Sequence, residues 1–261
     1  MIGILHHGIV PLDWARKFYS LQRPGQTLYV YSSTLPYDAS RNAACEAAIQ
    51  HNVEWLLFLD SDLVPDRDDA IAALMRHNLP VVSGVYHSKA PPHLPLVLRR
   101  MPQAQPDGTV KSVLAAISDW TPGEVLQVDA VPTGLLLIHR RVLQKFKDEG
   151  EPVFRWTMGR AVRMRDQFKL SDADLAALAA HLDRVPSADP AAAPYRRVLD
   201  RIRNEPEVEG LSEDFDASVR MKEFGFPLHV DTSVMAAHVT SMRIIPSPTG
   251  GPGRYAWMET P

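Results

Sequence analysis

Along the chain, short apolar runs alternate with stretches whose apolar residues recur at helical intervals. Ile2 to Leu5 is the first apolar run, and Leu12 to Leu21 follows with Trp14, Phe18 and Leu21 on one helical face. Thr27 to Tyr31 reads as a second strand. Ser40 stands where a cap would begin a helix reaching about His51, with Ala44, Ala47 and Ala48 as its apolar face. The run Trp55-Leu56-Leu57-Phe58-Leu59 has no polar interruption, which predicts a strand buried on both faces. Pro65 suits the first turn of a helix over Asp66 to Arg76, and Val81 to Tyr86 predicts a further strand. The segment from 1 to 86 therefore reads β-α-β-α-β-α-β. Such alternation implies an α/β fold with a mostly parallel sheet and helices on both faces, and ligands gather at the carboxyl ends of its strands. The site is expected just after Leu59.

Beyond Leu94 the pattern changes. Leu94 to Arg99, Glu124 to Ala130 and Gly134 to Ile138 predict strands, with Pro106-Asp107-Gly108 as a turn between the first two. A helix follows over Arg140 to Phe146. From 156 to 208, just after Arg155, the chain carries Arg160, Arg163 and Arg165 at its start, a helix over Leu175 to Leu182, an Ala/Pro stretch and a second helix near Tyr195 to Arg203. This reads as an inserted, partly mobile helical segment. Ser212 caps a helix ending at Gly225, and Leu228 to Val230 is a short strand before Asp231 to His238. There is no internal repeat.

Composition narrows the classes. A chain of 261 residues with 45% hydrophobic and 23% charged is globular, which excludes disorder, collagen and coiled coil. A formal net charge of -3 provides no general field toward nucleic acid or anionic lipid. The single Cys45 cannot form an intramolecular disulfide, and no Cys/His spacing fits a zinc finger, so a reducing cytoplasm is the expected setting. The N-terminal residues lack the pattern of a signal peptide, and no apolar run approaches the roughly 20 residues of a membrane span.

The chemistry centres on Asp60-Ser61-Asp62 at the end of the most apolar run. Alternate residues of an extended segment point the same way, so both carboxylates can face one ligand, and their hard oxygens suit Mg²⁺ or Mn²⁺ bridging phosphates. A bare Asp-x-Asp, without its context, reads as a turn with Asp62 helping to cap the next helix. Arg41 offers a planar cation for a nucleotide or its phosphates, or else a solvated charge on a helix face. Glu213-Asp214 opens a helix, where acids are favoured by the macrodipole. Thr133-Gly134 is a turn calling for a small residue, and His238 closes an apolar run as a structural histidine or a metal ligand. Trp156 is available to stack on a sugar or to pack in a core. The arginines from Arg155 to Arg165 suit a phosphate or a solvated basic face. His6 and His7 receive no role.

Three stretches occur in an order that resembles the nucleotide-sugar-dependent glycosyltransferases of the GT-A fold, especially the small family-2-like enzymes of bacteria and phages. They are Ser40-Arg41-Asn42-Ala43 through Asp60-Ser61-Asp62, then Val128-Asp129-Ala130-Val131-Pro132-Thr133-Gly134, then Ser212-Glu213-Asp214-Phe215-Asp216 through His238. The segment from 156 to 208 has no counterpart in the resemblance. It implies a single GT-A-like, Rossmann-like domain over 1–261, with a nucleotide-binding half at 1–100 and an acceptor half at 101–261 that carries the insertion. It further implies that Asp60 contacts the donor's ribose or sugar, that Asp62 holds Mn²⁺ or Mg²⁺, and that His238 completes the metal shell. Arg41 would lie near the nucleotide, Gly134 would let donor sugar or acceptor approach the backbone, and Asp214, in preference to Glu213, would remove the acceptor's proton in an inverting reaction.

The implied activity is transfer of a sugar from a UDP- or GDP-sugar to an acceptor that the sequence does not specify: a glycan, a small molecule or a nucleic-acid base. One rival is a haloacid-dehalogenase-type phosphatase, whose first Asp is a nucleophile after an apolar strand; that strand normally comes first in the chain, and here two βα units precede it. A P-loop enzyme is excluded by the absence of Gly-x-x-x-x-Gly-Lys-[Ser/Thr]. The rival from another class is a non-catalytic nucleotide-sugar or glycan-binding protein.

Overall fold

The apolar runs become strands and the periodic stretches become helices in the computed structural model, which describes residues 1–6, 10–32, 36–105, 108–157 and 212–239, isolated positions between 177 and 184, and strands at 242–245 and 254–257. The elements are β1 (Ile2–Leu5), α1 (Leu12–Ser20), β2 (Tyr29–Ser32), α2 (Tyr37–Gln50), β3 (Trp55–Leu59), β4 (Leu63–Pro65), α3 (Ala70–Met75), β5 (Val81–Val85), β6 (Leu98–Ala104), β7 (Val110–Ala116), β8 (Val125–Val128), β9 (Leu135–His139), α4 (Arg140–Asp148), α5 (Glu213–Glu223), β10 (Leu228–Val239), β11 (Met242–Ile245) and β12 (Arg254–Trp257). The chain separates into two compact units, Met1–Arg155 with Asp214–Pro261, and Trp156–Glu213. Among the described residues, no helix is long and apolar enough to cross a membrane.

The central sheet runs β2-β1-β3-β9-β5-β10-β11-β12, with β4 and β8 also pairing β10. β2, β1 and β3 pair in parallel, as do β5 and β10, whereas β9 lies antiparallel between β3 and β5. The reversal of β9 matters for the site. It brings the entrance of β9 to the exit of β3, with Leu59 opposite Leu135, so that Gly134 meets Asp60.

Both faces of the sheet are covered, as the uninterrupted run in β3 predicts. Leu56 and Phe58 point into one core with Ala44 and Ala48 of α2, Phe146 of α4 and Met221 of α5; Leu57 and Leu59 point into the other with Trp14 of α1 and Leu74 of α3. Each such side chain contributes about 1.5–3 kcal/mol by leaving water. Phe58 is fully buried edge-on to Phe154, 5.4 Å between ring centres, so Phe58→Ala would cost about 3–5 kcal/mol.

Four local expectations are corrected. Helix α2 starts at Tyr37, after Pro36 with φ -77°, so Ser40 is a buried residue inside the helix and not its cap. Proline has already set the entry angle. Pro65 ends a strand instead of starting a helix: β4 is captured by β10, with Ala236 opposite Pro65 and the Asp66 N–H donating to Met235 O at 2.9 Å, and α3 waits until Ala70. Leu94 to Arg99 gives way to a β6–β7 hairpin, with Leu98 opposite Ala116 and Ala104 opposite Val110. Residues 99–104 of β6 are all exposed, which erases the alternation that would have revealed the pair. Finally, Leu228 to His238 is one strand, irregular between Asp231 and Met235.

Other expectations hold to within a residue or two. Helix α5 begins after Ser212, and Gly225 takes φ +83° just past its end. Ala180, His181 and Leu182 are helical, inside the expected Leu175 to Leu182. The Tyr195 to Arg203 helix and the expected mobility of the insertion lie outside the described residues.

Candidate functional site

The turn after β3 is pinned from every side by backbone geometry. The Asp60 N–H donates to Gly134 O at 2.9 Å, its carbonyl accepts from Trp14 Nε1 at 2.9 Å and from Leu63 N–H at 3.1 Å, and the Ser61 N–H donates to Leu5 O at 3.2 Å. One residue on, the Asp62 carbonyl accepts from Val239 N–H at 2.8 Å. Strands β1, β3, β9 and β10 thus set where the two carboxylates stand.

Asp60 belongs to a cluster organised by Arg41. The guanidinium of Arg41 is almost entirely buried and holds both Asp60 oxygens, Nη1 to Oδ1 and Nη2 to Oδ2 each at 3.3 Å. Its Nε lies 3.7 Å from Asp214 Oδ1, and its plane lies over Phe58, 5.5 Å from the ring centre. A solvated helix-face charge is therefore excluded for Arg41. The Thr133 hydroxyl donates to Asp214 Oδ1 at 2.5 Å, so the turn residue is also a partner of the acid.

Burial raises the Asp214 carboxyl above its ordinary value; Arg41 and the Thr133 hydroxyl draw it back, while the Asp60 charge adds to the rise. The side chain retains 20% exposure, which leaves it an opening toward solvent. Glu213 opens α5 one residue earlier and belongs to the second unit.

Gly134 is explained by what surrounds it. A Cβ here would come within 2.7 Å of the Tyr86 hydroxyl and 3.1 Å of Asp60 Oδ2, and would collide with Leu63. The glycine lets three protein groups close on one point. Tyr86 uses that space: its hydroxyl accepts from Gly134 N–H at 2.8 Å, and its ring meets His238 edge-on at 5.0 Å. Burial and the charges of Asp214 and Asp60 raise the Tyr86 phenol well above its usual value, so it stays protonated.

Asp62 faces a second cluster. Its Oδ2 is ion-paired with the Lys89 ammonium. His238 stands opposite Leu63 in the β4–β10 ladder, beside this turn. Its Nδ1 lies 2.5 Å from the His87 carbonyl, which can only accept, so Nδ1 carries the proton and Nε2 keeps its lone pair. Burial lowers the imidazole's affinity for a second proton, with Lys89 adding to that effect and the Asp62 and Asp60 charges opposing it. A neutral, oriented imidazole with a free lone pair is the form that binds metals. Among the described residues, no group of three or more His, Cys, Asp or Glu forms a metal-holding set on its own.

The remaining candidates separate. Arg155 is engaged by Asp216, Nε to Oδ2 at 3.1 Å and Nη2 to Oδ1 at 3.2 Å. Trp156 belongs to the second unit, and His7, Arg160, Arg163 and Arg165 lie outside the described residues. His6 meets Tyr31 edge-on, 6.5 Å between rings. Two clefts open elsewhere: one of about 450 Å³ between α2, α4 and residues 150–153, the other of about 360 Å³ around Met1, Pro24 and Trp55. Neither is lined by Asp60, Asp62 or Asp214.

Tyr86 and Lys89 escaped sequence reasoning. Tyr86 had a signal, its place at the carboxyl end of a predicted strand; Lys89 had none, because a lone lysine in a Pro-rich loop carries no pattern.

No family model matches the chain, and no curated protein does. Among solved structures, the crystal structure of A197 from STIV is similar over 100% of this chain and 96% of its own length, with a TM-score of 0.52 and 15% sequence identity. At that identity the likeness concerns the fold alone: a mixed α/β architecture with a large, mostly parallel central sheet.

Proposed function

We propose that this chain is a GT-A-like glycosyltransferase that moves a sugar from a nucleotide diphosphate donor to an acceptor hydroxyl or amine with the help of Mn²⁺ or Mg²⁺. One observation carries the reading: Arg41, Asp60, Asp62, Asp214 and His238, drawn from four separate stretches of sequence, converge at the carboxyl end of β3. The residues present suit the ion: Asp62, a partly exposed carboxylate, and His238, with a neutral Nε2, would hold it, and phosphate oxygens of a bound donor would add to these two. When bound, the ion neutralises the departing diphosphate.

The protein's own residues do the rest. Asp60, held flat by Arg41, accepts hydrogen bonds from donor hydroxyls. Asp214 takes the acceptor's proton as the acceptor atom bonds to the anomeric carbon and the carbon–oxygen bond to phosphate breaks, its electron pair leaving with the diphosphate. A carboxyl whose proton affinity is raised by burial is a better base than one in water. Arg41 and Thr133 keep Asp214 ionised enough to act.

The phosphatase reading fares worse. Both oxygens of Asp60 face the Arg41 guanidinium, whose charge makes them poorer nucleophiles while leaving lone pairs to accept hydrogen bonds. Calorimetry with UDP- and GDP-sugars, with and without Mn²⁺, followed by donor-hydrolysis and transfer assays, tests the proposal. Metal-dependent nucleotide binding with turnover supports it. Binding without turnover on any acceptor class establishes a binding protein instead, and no nucleotide binding overturns both.

A further inference from the structure

Lys89 belongs to no motif, yet its ammonium sits on the carboxylate read above as the metal ligand. The loop that carries it is tied back on itself. The Ser88 N–H donates to Leu94 O and the Leu96 N–H to Tyr86 O, each at 2.9 Å; His93 Nδ1 lies 2.9 Å from Ser88 O, and His87 bridges to Pro95. The same loop supplies the His87 carbonyl that orients His238. One short loop thus delivers both a cation to Asp62 and the group that sets the imidazole's tautomer.

Lys89 and Asp62 are partly exposed, 48% and 33%. An ion pair of that kind holds its partner weakly, so the lysine can be displaced. Charge then decides what displaces it. A divalent ion arriving alone would join a cluster in which three carboxylates, Asp60, Asp62 and Asp214, already hold two cations, Arg41 and Lys89, so its two further charges would leave an excess of positive charge. A diphosphate changes the balance, since its negative oxygens provide places for both cations.

We propose that Lys89 is the resident counter-cation of Asp62, that a divalent ion binds Asp62 only by displacing it, and that a nucleotide diphosphate drives this exchange by taking up the released ammonium. The inference rests on the reading of Asp62 as a metal ligand. Its consequence is reciprocal coupling: nucleotide tightens metal and metal tightens nucleotide, within the ~5- to 150-fold range usual for linked sites. Lys89 acts as a gate against unproductive metal binding and, once released, as a diphosphate contact.

The test measures Mn²⁺ binding to the full chain by electron paramagnetic resonance and calorimetry, alone and with saturating UDP or GDP, after correction for the metal–nucleotide complex in solution. Wild type is expected to bind Mn²⁺ weakly alone and at least about 10-fold more tightly with nucleotide. Lys89→Gln should bind Mn²⁺ alone several-fold more tightly, bind metal-free nucleotide more weakly and show a several-fold smaller coupling, the phosphate oxygens still reaching the metal. Lys89→Arg, which keeps the charge, should resemble wild type. Unchanged Mn²⁺ affinity and coupling in Lys89→Gln overturns the inference. If Asp62→Asn abolishes Mn²⁺ binding while Lys89→Gln is silent, only the role of Lys89 falls. If wild type binds neither Mn²⁺ nor nucleotide, the donor reading falls with it.

Discussion

Asp60 and Asp62 stand one residue apart and live in different electrostatic settings. Asp60 is clamped by a buried guanidinium that also reaches Asp214, whereas Asp62 faces a half-exposed lysine and a neutral histidine. The guanidinium cannot leave without stranding carboxylates in a desolvated cluster, while the ammonium can step into water. The difference teaches that an Asp-x-Asp pair need not be a symmetric ligand: here one carboxylate belongs to the fixed frame and the other is free to exchange its cation.

The largest effect expected is on turnover. Asp214→Asn preserves shape and the Thr133 contact but removes the base, so transfer should fall about 10²- to 10⁴-fold while donor and metal binding persist. Near-wild-type turnover would refute the role, and the product's anomeric configuration, read by NMR, tells whether the acid acts as a direct base. Next comes the frame. Arg41→Met leaves Asp60 and Asp214 without their counter-charge and should cost about 3 kcal/mol in urea unfolding, with part of the loss recovered in the Arg41→Met/Asp214→Asn double variant.

Asp62→Ala sharpens the contrast from the other side. It should abolish metal-dependent UDP or GDP binding yet change stability by no more than about 1 kcal/mol, because the Lys89 pair is exposed. A stability loss as large as that of Arg41→Met would erase the distinction between the two carboxylates. His238→Ala should weaken Mn²⁺ binding less than Asp62→Ala, since carboxylate and phosphate oxygens remain.

The smallest effect concerns acid stability. The folded Asp214 carboxyl titrates above its ordinary 3.8, so the folded protein holds that proton more tightly than the unfolded chain. Its contribution is full below 3.8 and is lost as pH rises through the raised folded value. Urea unfolding at pH 4 and pH 7 should therefore show Asp214→Asn gaining on wild type as pH rises; a gap that stays constant would refute the shift.

What the sequence determined by itself was whatever a local period or a local angle encodes. Five consecutive apolar residues ending in Asp60-Ser61-Asp62 were enough to call a doubly buried strand and to put the site at its end, because burial on both faces leaves no room for a polar position. Ser212 and Gly225 bracketed α5, since caps are chosen by backbone angles within a turn. The β6–β7 hairpin was illegible for the converse reason: it buries almost nothing, so no alternation is imposed on it. Tertiary structure alone decided the direction of β9, the capture of Pro65 by β10, and the partners of the charged groups. Arg41 could be seen as a cation near a nucleotide, but its engagement with Asp60 and Asp214 follows from how α2, β3 and α5 pack. Lys89 reached Asp62 through a loop fold that no spacing announces. Periodicity reports which side of an element is buried; it carries no information on which distant element supplies the opposing charge, and in this protein the charges define the site.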